Sequence, residues 1–135
     1  MAKKILKIDF DYDFALYGII TVEKSHRLCW LLRKELDFNF KRIEDLELMK
    51  LNKIISFTRY KYENIHSDND ATCYLIANKN SGYFVIPERK ETDYFLIIKN
   101  LTIEGILNKL KKINNLQAVF TLNPNDLNSK ENLIF

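Results

Sequence analysis

Residues 92–99, Thr-Asp-Tyr-Phe-Leu-Ile-Ile-Lys, constrain this chain more than any other stretch. Tyr94, Leu96 and Ile98 share one parity and Phe95 and Ile97 the other, so a strand here points apolar side chains to both faces. Such a strand is out of place on a half-wet sheet. It belongs at the centre, with cover on each side. That cover has to come from 135 residues, about the size of one ordinary domain. With 47% hydrophobic and 13% aromatic residues the chain has the material for such a core, and its composition argues against disorder. A single domain over 1–135 is expected.

The remaining periodicities surround this strand with more strands and two helices. Leu6, Ile8, Phe10 and Tyr12 alternate with Lys7, Asp9, Asp11 and Asp13, which reads as a strand with one wet face. Residues 14–21 read as a second strand, apolar on both faces. From Glu23 the period changes: Leu28, Leu31, Leu32 and Leu36 follow helical spacing, with Thr21 or Ser25 as the N-cap. Residues 37–48 are ambiguous and are read as a strand over their first half. In 54–62, Ile55 and Phe57 share one parity and Tyr60 and Tyr62 the other, which reads as a β-bulge near Thr58-Arg59 or as tyrosines facing solvent. A strand at 71–78, a turn at 79–82 and a short strand ending at Pro87 come next. Thr102 is expected to cap a helix with the stripe Ile103, Ile106, Leu107, Leu110 and Ile113, with Gly105 in its first turn implying close packing. A last strand covers 116–122. The strands are mostly hairpin-linked, which predicts an α+β fold: a mainly antiparallel sheet with two helices packed on one face, a two-layer sandwich.

Three glycines, none close to another, exclude the phosphate-binding G-x-G-x-x-G and Walker A loops and the G-x-S-x-G elbow. Two histidines and two well-separated cysteines exclude H-E-x-x-H and C-x-x-C. The formal charge of +3 is well short of the usual nucleic-acid-binding footprint. No apolar run approaches membrane-spanning length, and Lys7 and Asp9 interrupt the N-terminal apolar stretch. The reading is therefore a cytoplasmic protein with reduced Cys29 and Cys73, no membrane partner and no cofactor.

Several residue groups still invite chemistry. Asp9, Asp11 and Asp13 would put three carboxylates on one strand face, a hard-cation site if they converge and a charged edge if they do not. His66 beside the loop 67–70 has no recognisable nucleophile. His26 and Cys29 share a helix face without completing a triad. Tyr60, Tyr62, Tyr74 and Tyr83, interleaved with Arg59 and Lys61, would form a base-stacking sheet if they shared an open face, with Lys109, Lys111 and Lys112 adding charge. Leu133, Ile134 and Phe135 end the sequence, and they dock onto the domain or onto another chain.

The densest charged stretch carries a resemblance. Ile86-Pro87-Glu88, followed after four residues by Asp93-Tyr94, resembles the signature of the small bacterial IPExxxDY family, as do Tyr74-Leu-Ile-Ala-Asn-Lys79 and the closing Ser129-Lys-Glu-Asn-Leu-Ile-Phe135. The resemblance implies a small cytoplasmic protein and supplies no catalytic residues. Together these readings favour a non-catalytic protein-interaction or regulatory module, with Ile86, Pro87, Glu88, Asp93, Tyr94, Leu133, Ile134 and Phe135 as its signature or interaction residues. The partner is expected to be protein, with a homodimer closing whatever sheet face the helices leave bare. An RNA-binding accessory protein using the tyrosine-bearing sheet is the second reading, and a metal-dependent enzyme using Asp9, Asp11 and Asp13 is the third.

Overall fold

The computed structural model describes residues 14–63 and 71–135. The expected strand at 6–12 lies outside the described residues, as do Asp9, Asp11 and Asp13 and the loop from His66 to Asp70.

In chain order the elements are β1 (Ala15–Ile20), α1 (Ser25–Leu36), β2 (Lys41–Arg42), β3 (Leu46–Lys50), β4 (Lys53–Phe57), β5 (Arg59–Glu63), β6 (Thr72–Ala77), β7 (Lys79–Asn80), β8 (Tyr83–Phe84), β9 (Tyr94–Lys99), α2 (Ile106–Lys111) and β10 (Ala118–Leu122). Short 3₁₀ turns occupy Pro87–Arg89, Pro124–Asp126 and Lys130–Leu133. Among the described residues six strands form one antiparallel sheet in the order β10-β1-β9-β6-β5-β2, while β3-β4 and β7-β8 are separate hairpins. The molecule is α+β, with both helices on one face of the large sheet.

The two parities of β9 decide how the layers are arranged. Leu96 and Ile98 point to the helix side, where they meet Tyr17, Ile19, Leu75, Leu28, Leu32 and Leu110. Phe95 and Ile97 point the other way, toward Leu16, Phe57, Ile76, Ile86 and Leu133. Both sides of the strand are buried, as its sequence requires. The second cover is the chain's own: the β3–β4 hairpin, the Val85-Ile86 corner and the C-terminal segment pack on the face opposite the helices. The bare face that suggested a homodimer is therefore closed from within.

Several local expectations are corrected. At the start of α1 neither Thr21 nor Ser25 acts as the N-cap; Lys24 holds that position without a side-chain cap. Thr21 instead accepts from Glu23 N–H at 3.1 Å and donates its hydroxyl to Asn115 O at 2.8 Å. Ser25 shares a hydrogen bond of 3.1 Å with the Tyr60 hydroxyl. Residues 37–40 do not form the expected strand, because Asp37 ends α1 in the left-handed region (φ 60°) and only Lys41 and Arg42 pair with β5. No bulge interrupts 54–62. Instead the chain changes sheets at Thr58, with β4 pairing β3 and β5 pairing β6. Phe57 is buried on the tail side and Tyr60 on the helix side, so the alternation never slips; both parities are covered. Helix α2 is shorter than its stripe suggested and begins after Gly105, not Thr102. Gly105 has φ 64° and open space where a Cβ would sit, so backbone conformation, not close packing, calls for glycine there.

Gly18 is the opposite case. It pairs with Phe120 across the β1–β10 ladder, and a Cβ on it would lie 2.5 Å from the Phe120 ring. The ring crosses the strand where glycine leaves room. Gly18→Val should destabilise the fold by about 1–3 kcal/mol through overpacking. Combining it with Phe120→Ala should recover part of that loss, giving a measurable coupling in a denaturation double-mutant cycle.

Candidate functional site

The signature segment folds around one side chain that sequence reasoning did not single out. Asn78, directly after β6, is fully buried. Its Nδ2 donates to Arg89 O and Thr92 O, both at 2.9 Å, and its Oδ1 accepts from Ile86 N–H at 2.8 Å. Its own N–H donates to Asp93 O and its carbonyl accepts from Val85 N–H, again both at 2.9 Å. Two amide donors, one amide acceptor and both main-chain groups are thus all engaged. The connection from Val85 to Asp93 wraps this amide as a substitute for regular pairing, because Pro87 cannot donate to a ladder.

Each polar signature residue then ties the wrapped corner to another part of the chain. Glu88 accepts from Ser129 N–H at 2.7 Å and from the Ser129 hydroxyl at 2.9 Å, which fixes the start of the last 3₁₀ turn. Asp93 accepts from Thr21 N–H and from Lys79 Nζ, both at 2.9 Å. Tyr94 donates its hydroxyl to Glu23 O at 2.9 Å. Burial, followed by the nearby Asp93 charge, pushes the Tyr94 phenol up to about 12, so it stays a donor at neutral pH. Ile86 is wholly buried while Pro87 stands exposed at the turn's first position.

The C-terminal residues dock on the domain itself. Leu133 is fully buried. Asn132 Nδ2 donates to Val85 O at 2.8 Å, and Phe135 packs edge-on to Tyr74 with centroids 4.7 Å apart. Ile134 and Phe135 are half-buried, and the Arg59 guanidinium sits 4.7 Å from the Phe135 centroid.

The tyrosines do not share an open face. Tyr60 and Tyr62 point under the helices, Tyr62 stacking on Phe38 at 4.8 Å, whereas Tyr74 and Tyr83 lie on the tail side. The geometry that the RNA reading required of them is overturned. Burial pushes the Cys29 and Cys73 thiols up to about 12, the reverse of an activated nucleophile. Among the described residues no three His, Cys, Asp or Glu side chains gather as metal ligands. A shallow cleft of about 500 Å³ does open beside the signature, lined by Thr21, Glu23, Lys24, Lys79, Asp93 and Tyr94. Two of its charges, Lys79 and Asp93, are already paired with each other.

Two surface features escaped the sequence reading. At the tip of the β3–β4 hairpin Met49, Leu51 and Ile54 are strongly exposed, and Leu51 sits at φ 49°. The signal was the Lys50-Leu51-Asn52-Lys53 turn, which places a leucine where asparagine or glycine is the usual choice. On α1, Trp30 is half-exposed. Its position, out of phase with the stripe Leu28, Leu31 and Leu32, foretold that. Among protein-family models none matches this chain, and a search of curated proteins likewise finds no match.

Two outcomes test the corner. Asn78→Asp keeps the shape but aims a carboxylate at the Arg89 and Thr92 carbonyls, and should cost about 2–4 kcal/mol at neutral pH. The loss should shrink in acid, where the protonated carboxyl can donate once, as read from urea unfolding across pH. Glu88 is raised by burial, but the hydrogen bonds from Ser129 outweigh this and hold it below its ordinary 4.5. A lowered folded value stabilises above the unfolded value and is lost as pH falls through the folded one. The thermal-stability advantage of wild type over Glu88→Gln should therefore be full above about pH 5 and fade below about pH 4.

Proposed function

We propose that this protein is a non-catalytic protein-interaction module that docks through the tip and outer face of the β3–β4 hairpin. The observation that carries this reading is Leu51. It is 82% exposed, and its left-handed backbone costs a residue with a Cβ about 1–2 kcal/mol. The other described non-glycine residues with positive φ are Asp37, Asn52, Ser81 and Asn100, and of these the Asp and Asn residues are types enriched in this region. Two further costs gather at the same tip. Met49 and Ile54 face each other across the hairpin and are 65% and 63% exposed, and Lys50 lies directly opposite Lys53. Like charges in register are unfavourable. A partner that offers an apolar surface with an acidic rim relieves the exposure and the repulsion together.

The polar residues of the signature support the non-catalytic part of the reading. Glu88, Asp93 and Tyr94 bond to Ser129, Thr21 and Glu23, in the manner of structural ties. The same reading assigns the chain to the IPExxxDY family of small bacterial proteins, on Ile86-Pro87-Glu88, Asp93-Tyr94 and the closing segment. It puts the protein's work in the cytoplasm, where Cys29 and Cys73 remain reduced.

A photoreactive amino acid at position 51, irradiated in native cells, should give a discrete protein adduct that disappears in the Met49→Ser, Ile54→Ser background. The same probe at exposed Thr102 should not give it. Adduct patterns indistinguishable between the two positions would refute the assignment. Leu51→Gly separates docking from folding: it should raise stability by about 1 kcal/mol in urea unfolding while weakening the association.

A further inference from the structure

We propose that the outer face of α1 is a binding site for single-stranded nucleic acid, with a base stacked on Trp30 and phosphates held by Arg27, Arg33 and Lys34. The site is independent of the hairpin and lies on the opposite face of the sheet. Trp30 is the chain's only tryptophan and is 48% exposed. The Arg27 guanidinium lies 4.5 Å and the Lys34 ammonium 5.4 Å from its ring centroid. A depression of about 370 Å³ opens beside the indole, lined by Trp30, Arg33, Lys34 and Asp37.

Helical geometry assembles these groups. Positions 27, 30, 33 or 34, and the C-cap 37 are spaced by three or four residues, so these groups lie along the side of α1 away from the buried leucines. Within α1 the cations Arg27, Arg33 and Lys34 face Glu35 as the sole acid. Lys109, Lys111 and Lys112 stand exposed on and just after α2, in the same layer.

That combination selects the ligand. An apolar protein surface would pack against a tryptophan but leave three surrounding cations unanswered. An acidic peptide would answer the cations but would have to bring a separate apolar side chain into register to cover the indole face. A nucleotide strand carries both groups, a π-face and a phosphate at each repeat. On binding, a base takes the ring face, and Arg27 and Lys34 swing from the indole to the flanking phosphates, exchanging exposed cation–π contacts for charge-assisted hydrogen bonds. Asp37, at one end of the depression, repels phosphate and accepts from a base amino group, so an adenine oligomer is the natural probe. The chemistry is shared by RNA and single-stranded DNA, which differ here in the 2′-hydroxyl.

The lone tryptophan makes the test local. Oligoadenylate of roughly 12 nucleotides, as RNA and as DNA, is titrated at about 50 mM salt while the indole emission is followed. Saturable quenching is expected. Anisotropy of the labelled oligomer should show at least ~10-fold weaker binding for Trp30→Ala. Log K should fall with log salt with a slope of about −2, roughly 0.7 for each of three phosphates, and Arg33→Gln should remove about 0.7 of it. Both replaced side chains are exposed, so an unchanged melting temperature certifies each variant. Tighter binding of either oligomer, or equal binding of both, supports the site and names its natural strand. Unaltered emission with both, undiminished affinity of Trp30→Ala, or equal binding of inorganic polyphosphate would overturn it.

Discussion

One buried amide organises this molecule. Asn78 has no contact with water, so every polar atom it carries needs a partner inside, and the partners available are main-chain groups of an otherwise irregular connection. The connection therefore has one conformation, and the residues on it acquire fixed directions. Glu88 reaches the C-terminal segment, Asp93 the loop before α1, and Tyr94 the same loop one step further along. The connection, the C-terminal segment and the loop before α1 thus meet through a side chain that itself hydrogen-bonds only to the connection. The amide is neutral, so it secures these ties without the desolvation penalty of a buried charge.

This arrangement explains why the second face of the sheet needs no partner subunit. Apolar cover on the helix side comes from two regular elements. On the tail side it is assembled from pieces too short to fold alone: a hairpin, a corner and a terminal segment. Their burial is worth having only if they are held in place. Asn80 donates to Ser56 O at 2.6 Å, Asn132 to Val85 O and Ser129 to Glu88, so hydrogen bonds position what hydrophobicity alone would leave mobile.

Period and parity made the central layer legible in the sequence. β9, β1 and β6 lie close to their expected positions, and the double-sided apolar pattern of β9 correctly demanded two covers. What periodicity misread were places where tertiary contacts take over. Thr58 is an ordinary residue at which the chain leaves one sheet for another, and the register of Tyr60 and Tyr62 makes sense only once both faces are known to be covered. Gly105 looked like a packing residue because a helix seemed to run through it, whereas the helix starts just beyond. Asn78 was invisible for a different reason: an asparagine at a strand's end is locally a turn residue, and its five partners are main-chain atoms that leave no mark in sequence. Among the signature residues, the sequence pattern gave no sign of which distant residues Glu88, Asp93 and Tyr94 bond to: Ser129, Thr21 and Glu23.

The crossing at Thr58 has a mechanical meaning. Residues 53–63 run from the hairpin into β5 with a single intervening residue, so the exposed tip and the large sheet belong to one continuous ribbon. Ser56 O is gripped by Asn80, and Thr58 O by Ala77 N–H at 2.9 Å. These two hydrogen bonds pin the crossing itself, so the hairpin that carries Leu51 and the strand that carries Tyr60 against Ser25 at the root of α1 are anchored at one shared place.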